Sequence, residues 1–436
     1  MRVLLINPPN AGRSIPEERY GLTALRGVFR GEPLGLETLA GNLDGHDVRI
    51  VDLKADPQGL DRALAAVAPD IVGLTAMTCE ANTALALASR VKAAASATVV
   101  VGGIHATLDP EFFNRRPVDY IVRGLGKASF RELVDAIARG DGGKTIPGVG
   151  RVSPGRPIDI PTREYSIADL AEDRPPRYDL TSEYRAQYTV PSLGVTLGCV
   201  ATSFGCPHRC DFCCVGSLTG GRYLAHGPES VVRDVRSVSG SGLIRLTDSN
   251  SFGNIRDADR LCSALMDAGL RGPYLADVRA DTIVRHPATL KQWRQAGLRA
   301  AVVGFEEISD ERLADWNKGT TAAMNAEAVR ILGDNGIMAV ADFIVSPDYT
   351  DEDFDALERY ILAMPAALPV CSVLTPLPGT PLYDRMREKI ANHDLDYYTM
   401  TNCVWPPRLG EERFYRRFTG MLQRCHRKPD AGIRKG

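Results

Sequence analysis

Short runs of β-branched and aliphatic residues recur through the first third of the chain: Val3–Ile6, Val48–Val51, Ile71–Leu74 and Val99–Val101, with Asp119–Val122 adding a fifth. Between them lie Leu34–Leu43, Leu60–Val67, Ala81–Ala95 and Ala128–Ala138, rich in Ala and Leu at helical spacing. Continuous apolar runs alternating with that spacing predict strands covered on both faces by crossover helices, a parallel doubly wound sheet. From Val195 the alternation starts again, with strands predicted at Val195–Thr202, Leu243–Thr247, Tyr274–Val278, Ala300–Phe305, Met338–Val345 and Pro369–Leu374. Six βα units predict a partial (β/α)6 barrel of the TIM type instead of the closed eightfold one. Gly227-Pro228-Glu229 opens one of its helices with proline in the first turn, and Thr350 with Asp353 forms a capping pair at another.

Two stretches break the rhythm. Residues 141–190 are punctuated by Gly142, Gly143, Pro147, Pro154, Pro157, Pro161, Pro175 and Pro176, which predicts an irregular connector. Its tyrosines, Tyr165, Tyr178, Tyr184 and Tyr188, are expected to pack. Residues 381–436 interleave Tyr397, Tyr398, Trp405, Phe414, Tyr415 and Phe418 with Arg413, Arg416, Arg417, Arg424, Arg427 and Lys428. A helix closing the open side of the barrel, its charged face solvated, accounts for that pattern. The expected architecture is therefore α/β: a Rossmann-like domain over 1–140, a linker over 141–190, a partial barrel over 191–380 and a small helical C-terminal segment over 381–436.

At 436 residues the chain can build more than one full core. A formal net charge of -2 provides no basic field for nucleic acid or an anionic membrane, so neither is an expected partner. The apolar start stops at Asn7-Pro8-Pro9, too short for a secretory signal, and no run approaches the roughly 18 apolar residues of a membrane span. A cytoplasmic protein is expected. Ten cysteines, three of them in one loop, point to a reduced compartment and a metal centre instead of a disulfide framework.

That loop is Cys206-Pro207-His208-Arg209-Cys210-Asp211-Phe212-Cys213, with C-x3-C-x2-C spacing. Thiolates select zinc or iron-sulfur clusters. A zinc knuckle would recruit His208 or Cys199 as fourth ligand. A cubane cluster would instead take one sulfur per iron and leave one iron open for chemistry. The loop follows the first predicted barrel strand, at the carboxyl rim where such barrels carry their active sites. Cys214 adjoins Cys213 and is expected to be a bystander.

Preceded by Thr202-Ser203-Phe204-Gly205 and with Phe212 at its aromatic position, the motif resembles the signature of the radical S-adenosylmethionine (SAM) superfamily. The resemblance implies a [4Fe-4S] cluster on Cys206, Cys210 and Cys213 whose fourth iron chelates SAM. It makes Phe212, Asp248, Asn250, Arg279 and Glu306, at successive strand ends, the SAM-binding candidates. Arg279 and Glu306 have a second reading, as an ion pair across the barrel mouth. Asn317-Lys318-Gly319 reads as a turn and packing element.

The strand ends of the first domain complete the resemblance. Relatives with a histidine lower ligand carry D-x-H-x-x-G after strand one, S-x-L after strand three and Gly-Gly after strand four. Here the matching residues are Asn7, Pro8, Pro9 and Gly12, then Thr75 and Met77, then Gly102 and Gly103, with His105 beyond. The set resembles the cobalamin-binding domain of B12-dependent radical SAM enzymes, with Pro9 where the histidine would stand. His105 either lines the nucleotide pocket or reaches the cobalt. Arg123-Gly124-Leu125-Gly126 occupies the place of a Gly-Glu-Gly-Glu segment, without its carboxylates. His46 is expected in an exposed turn.

The resemblance implies a radical SAM enzyme using a [4Fe-4S] cluster, SAM and cobalamin, with a flavodoxin- or ferredoxin-like electron donor. The expected activity is C-methyl transfer to an unactivated carbon of a small molecule or peptide. A cyclase or rearrangement enzyme with the same cofactors, and a non-catalytic iron-sulfur and corrinoid sensor, are the alternatives.

Overall fold

The apolar runs of the first domain become strands β1 (Arg2–Asn7), β2 (Asp47–Asp52), β3 (Ile71–Thr75), β4 (Thr98–Gly102) and β5 (Tyr120–Val122). The structure is a computed structural model and describes residues 1–23, 29–171, 174–191, 193–365 and 367–426. Val3 to Ile6 are at most 1% exposed, as a central strand covered on both faces requires. A sixth strand, β6 (Val149–Arg151), lies in the stretch expected to be irregular. At three residues between Gly148 and a Gly/Pro-rich run, it leaves no periodic signal. The sheet runs β2-β1-β3-β4-β5-β6, with β6 alone antiparallel.

The strand order reverses between β1 and β3. In doubly wound sheets, the crevice at the carboxyl ends beside such a reversal is where ligands bind. The loops after β1 and β3, carrying Asn7–Gly12 and Thr75–Met77, flank it. Beneath it Val3, Leu5, Ile71, Val100, Phe130 and Leu133 form one apolar cluster. Each such fully buried side chain contributes about 1.5–3 kcal/mol.

The chain divides into two compact units. The first contains this sheet and extends to Val190, so the stretch expected as a linker is counted with it. The second contains the remaining residues and also the segment beginning at Arg13, which carries the helix Ile15–Tyr20. Asn402, fully buried, holds that segment by accepting from the Ile15 amide at 2.8 Å and donating to the Arg13 carbonyl at 2.8 Å.

In the second unit six barrel strands stand in chain order, each parallel to the next: Val195–Val200, Leu243–Leu246, Tyr274–Asp277, Leu298–Glu306, Met338–Val345 and Ala367–Val373. This is the predicted partial barrel. Pro228 starts its first crossover helix (Pro228–Val238), and Thr350 caps Asp351–Ala363 with its hydroxyl on the Asp353 amide at 3.3 Å. The C-terminal helix Glu411–His426 buries Phe414, Tyr415 and Phe418 completely. Its arginines meet the neighbouring helix, Arg413 on Asp351, Arg417 on Asp355 and Arg424 on Glu358. Arg427 and Lys428 lie outside the described residues. Among the described residues no helix is long and apolar enough to cross a membrane.

His46 departs from expectation. Its ring is largely buried and its Nε2 lies 3.0 Å from Asp135 Oδ1, which ties the β2 turn to the helix Lys127–Ala138.

Candidate functional site

The cysteine loop leaves the first barrel strand and is fixed at its root by Asp248. One Asp248 oxygen accepts from the amides of Thr202 and Ser203, each at 2.8 Å, and the other from the Thr202 hydroxyl at 2.6 Å. A carboxylate holding three donors anchors the strand end rigidly. Burial nonetheless raises its pKa, outweighing those bonds. Asp248, expected to meet SAM, has both oxygens engaged with the loop.

Cys206, Cys210 and Cys213 are all partly accessible. Burial first, then Cys214, Cys210 and Cys206, pushes the Cys213 thiol up to about 12, so the three sulfurs of the motif are electrostatic neighbours. A bound cluster would reverse that preference, since metal ions hold thiols deprotonated. Among the described residues no three His, Cys, Asp or Glu side chains already meet at one metal position. Two donors are aimed at the sulfurs: Arg279 Nη1 lies 3.7 Å from Cys210 Sγ and Asn250 Nδ2 3.9 Å from Cys206 Sγ. Hydrogen bonds to sulfur are a device by which proteins tune iron-sulfur centres. The donor set fits a cluster. Of the two thiols weighed beside the motif, Cys199 is buried in the first barrel strand and Cys214 is partly accessible.

The other SAM candidates gather at the same rim. Asn250 is 1% exposed and its Oδ1 has no partner, an acceptor left for a ligand donor. Arg279 is buried, with Nε on Asp281 at 2.9 Å and Nη2 on the Lys318 carbonyl at 2.7 Å. Glu306 closes the fourth barrel strand with a left-handed backbone, φ 63°, and accepts from Lys318 Nζ at 2.7 Å. The Arg279–Glu306 pair considered from sequence is thus replaced by two others, Arg279–Asp281 and Glu306–Lys318. A side chain at Gly304 would collide with Glu306 Oε1, so the glycine lets that carboxylate fold back onto the lysine. Phe212 packs edge-on against Trp316, and Lys318 Nζ stands 6.0 Å from its ring centre.

Lys318, read as a turn residue, is therefore a buried member of the site. Sequence reasoning also missed Arg245 and Asp277, paired at 3.1 Å, and Asp342. The signal was there: a charge inside a run that should be apolar throughout.

In the first unit, Gly103 has φ 94° and sits where a side chain would strike Thr75 Oγ1 at 2.6 Å and the Ala76 amide at 2.8 Å. Close approach of β3 and β4 demands that glycine. Gly102 is different: a Cβ there meets only Val122 at 3.5 Å, so the space beside it is left open. Nearby Met77 is 42% exposed, and the Thr78 hydroxyl is buried without a partner. His105 is fully buried between Phe112 and Phe113, at 5.0 and 5.7 Å between ring centres, and neither ring nitrogen has a partner. Burial lowers its pKa to about 4, which keeps it neutral. Open space at Gly102 and orphaned polar groups on adjacent strand ends fit a large, hydrogen-bonding ligand such as cobalamin.

Asn7 points elsewhere. Its amide donates to Asp52 Oδ1 at 2.8 Å, and Asp52 Oδ2 accepts from the Tyr188 hydroxyl at 3.0 Å. Pro8 is buried and Pro9 partly so. In the segment lacking the Gly-Glu-Gly-Glu carboxylates, Arg123 Nε donates to the Thr107 carbonyl at 3.2 Å and the Gly124 amide to Thr107 Oγ1 at 3.0 Å.

A doubly wound sheet with a ligand-ready switch point, joined to a partial barrel carrying three rim cysteines, defines a two-cofactor α/β architecture. Residues 24–134 match the B12 binding domain and residues 200–361 the radical SAM superfamily. An uncharacterized methyltransferase of Pyrococcus horikoshii is 30% identical over 399 residues, 88% of this chain and 83% of the relative. The hopanoid C-3 methylase of Methylococcus capsulatus is 27% identical over 411 residues, 92% of this chain and 77% of the relative. Other relatives, at 25% to 28% identity, are anaerobic magnesium-protoporphyrin IX monomethyl ester cyclases. The methyltransferase TsrM from Kitasatospora setae, solved with cobalamin and a [4Fe-4S] cluster, superposes with a TM-score of 0.75 at 20% identity, covering 97% of this chain and 88% of that one. The chain belongs to the cobalamin-dependent radical SAM enzymes.

Proposed function

We propose that this enzyme is a C-methyltransferase whose cluster is held by Cys206, Cys210 and Cys213 and whose cobalamin rests against the β1, β3 and β4 strand ends. The observation carrying this reading is the face presented by the loop after β1. Pro9 replaces the ligating histidine, Asn7 is committed to Asp52, and His105 is enclosed by two phenylalanines. The loop after β1 thus presents no imidazole to a metal, and His105 lies outside it, in the helix after β4. Cobalamin held there, without an imidazole from that loop, would supply chemistry suited to carrying a methyl group. The names of the relatives at 30% and 27% identity agree with methyl transfer.

When bound, the cluster with SAM supplies hydrogen-atom abstraction, and cobalamin carries the methyl group. The chain's own residues position and shield. Asp248 fixes the root of the cysteine loop, and Arg279 and Asn250 direct N–H groups at two of its sulfurs. Asn250 Oδ1 remains as an acceptor for SAM. Glu306, whose left-handed backbone is a strained conformation of the kind found at functional sites, is held in place by Lys318.

Methyl-labelled SAM, supplied anaerobically with reductant and a metabolite extract, tests the reading. Label should appear on carbon in a product, together with 5'-deoxyadenosine. Deoxyadenosine with an unlabelled product would overturn methyl transfer in favour of cyclisation or rearrangement.

A further inference from the structure

Arg245, Asp277, Glu306 and Lys318 all lie close enough to Asp342 to act on its charge. Those four are matched: Arg245 with Asp277 at 3.1 Å and Lys318 with Glu306 at 2.7 Å. Asp342 is left over. It stands on the fifth barrel strand in register with Gly304 of the fourth, so both point to the same face, the one over which Glu306 folds back. Its neighbours along the strand, Ala341 and Phe343, are buried on the opposite face.

No group among the described residues hydrogen-bonds the Asp342 carboxyl. Burial and the like charges of Glu306 and Asp277 push its pKa up to about 8, against weaker opposition from Arg245 and Lys318. The carboxyl is partly accessible on that face and carries no protein hydrogen bond, so an incoming donor can reach it. Positions that break a local rule in this way are where proteins keep function.

We propose that Asp342 is the substrate-recognition carboxylate of the barrel and takes a protonated amine, so that the substrate is an ammonium-bearing small molecule or peptide. The sign of the site supports a cation over other ligands. With Asp342 protonated the two ion pairs leave the cluster neutral, and an incoming positive charge is the ligand that lets Asp342 ionise as its partner. A neutral or anionic ligand would leave the acid protonated. Asp342 is also on the fifth strand, whereas the cysteine loop that anchors SAM follows the first. The inference rests on the reading of this barrel as a substrate-transforming site, but not on whether the group transferred is methyl.

The test uses the full chain with cluster and cobalamin reconstituted anaerobically. Infrared difference spectra follow the Asp342 carboxylic C=O stretch against pH, identified by its absence in Asp342→Asn. Ethylammonium is the probe and ethanol, at equal concentration, the control. Ethylammonium should lower the pH at which the band is lost by about one unit, a tenfold change in proton affinity, and the shift should saturate. Ethanol should leave the band in place, and equilibrium dialysis should show equal SAM affinity in Asp342→Asn and the parent. An identical response to both probes overturns the proposal. So does a tenfold loss of SAM affinity in the variant, which would assign the carboxyl to SAM. Asp342→Ser serves as the second variant should Asp342→Asn lose its near-ultraviolet circular dichroism. The labelling experiment is independent, so failure of methyl transfer and failure of amine recognition are distinguishable.

Discussion

Asn7 stands where relatives with a histidine ligand carry aspartate, and its partner explains the exchange. The acceptor facing it is Asp52, held also by Tyr188, and a second carboxylate there would place two like charges at hydrogen-bond distance. Beside this chain of bonds lies Glu37, fully buried, with one oxygen on the Thr181 hydroxyl and the other unpartnered. Burial first and Glu32 second raise its pKa from the ordinary 4.5 to about 8. Folded protein therefore holds this proton across a range where unfolded chain has released it, and stability falls as pH rises from about 4.5 to about 8. Glu37→Gln should flatten that decline, which thermal unfolding from pH 5 to 8.5 would register; a decline as steep as the parent's would contradict the assignment. The sequence could show that a histidine was missing from the β1 loop. It could not show that Tyr188, from a stretch without periodicity, returns to Asp52, because that contact joins residues 136 apart.

Among elements, the cysteine loop was the most legible, since its spacing states a ligand number and its place after a strand states a position. Helix and strand spans followed the apolar periods to within one or two residues at most ends: Gly59–Val67 was expected from Leu60, and Met338–Val345 was expected entire. The rim side chains were legible only as types. Asp248 came out as an anchor, and Glu306 chose Lys318 over Arg279, because pairing at a barrel mouth is decided by which strand ends the curl of the sheet brings together. If Asp248 fixes the loop, Asp248→Ala should lower the iron bound per chain after reconstitution while cobalamin binding stays at the parent level. Undiminished iron would reduce the carboxylate to local packing. The basic C-terminal helix is accounted for by its neighbours: its arginines answer Asp351, Asp355 and Glu358, and its aromatics fill the space beneath.

For the whole molecule, the two repeating patterns correspond to two units, one with a switch-point crevice and one with a charged barrel interior. What the linear reading could not express is that the segment from Arg13 belongs with the second unit, fastened there by Asn402, although it follows directly on the β1 loop. The central claim is that this one chain holds both a cubane cluster and a corrin. Anaerobic purification and reconstitution, followed by iron, sulfide and cobalt analysis with an absorption spectrum, tests it most directly. The prediction is one [4Fe-4S] cluster and one cobalt per chain, with Cys210→Ala losing the iron and keeping the cobalt. A colourless protein carrying zinc, or a brown one that takes up no cobalt, would contradict it.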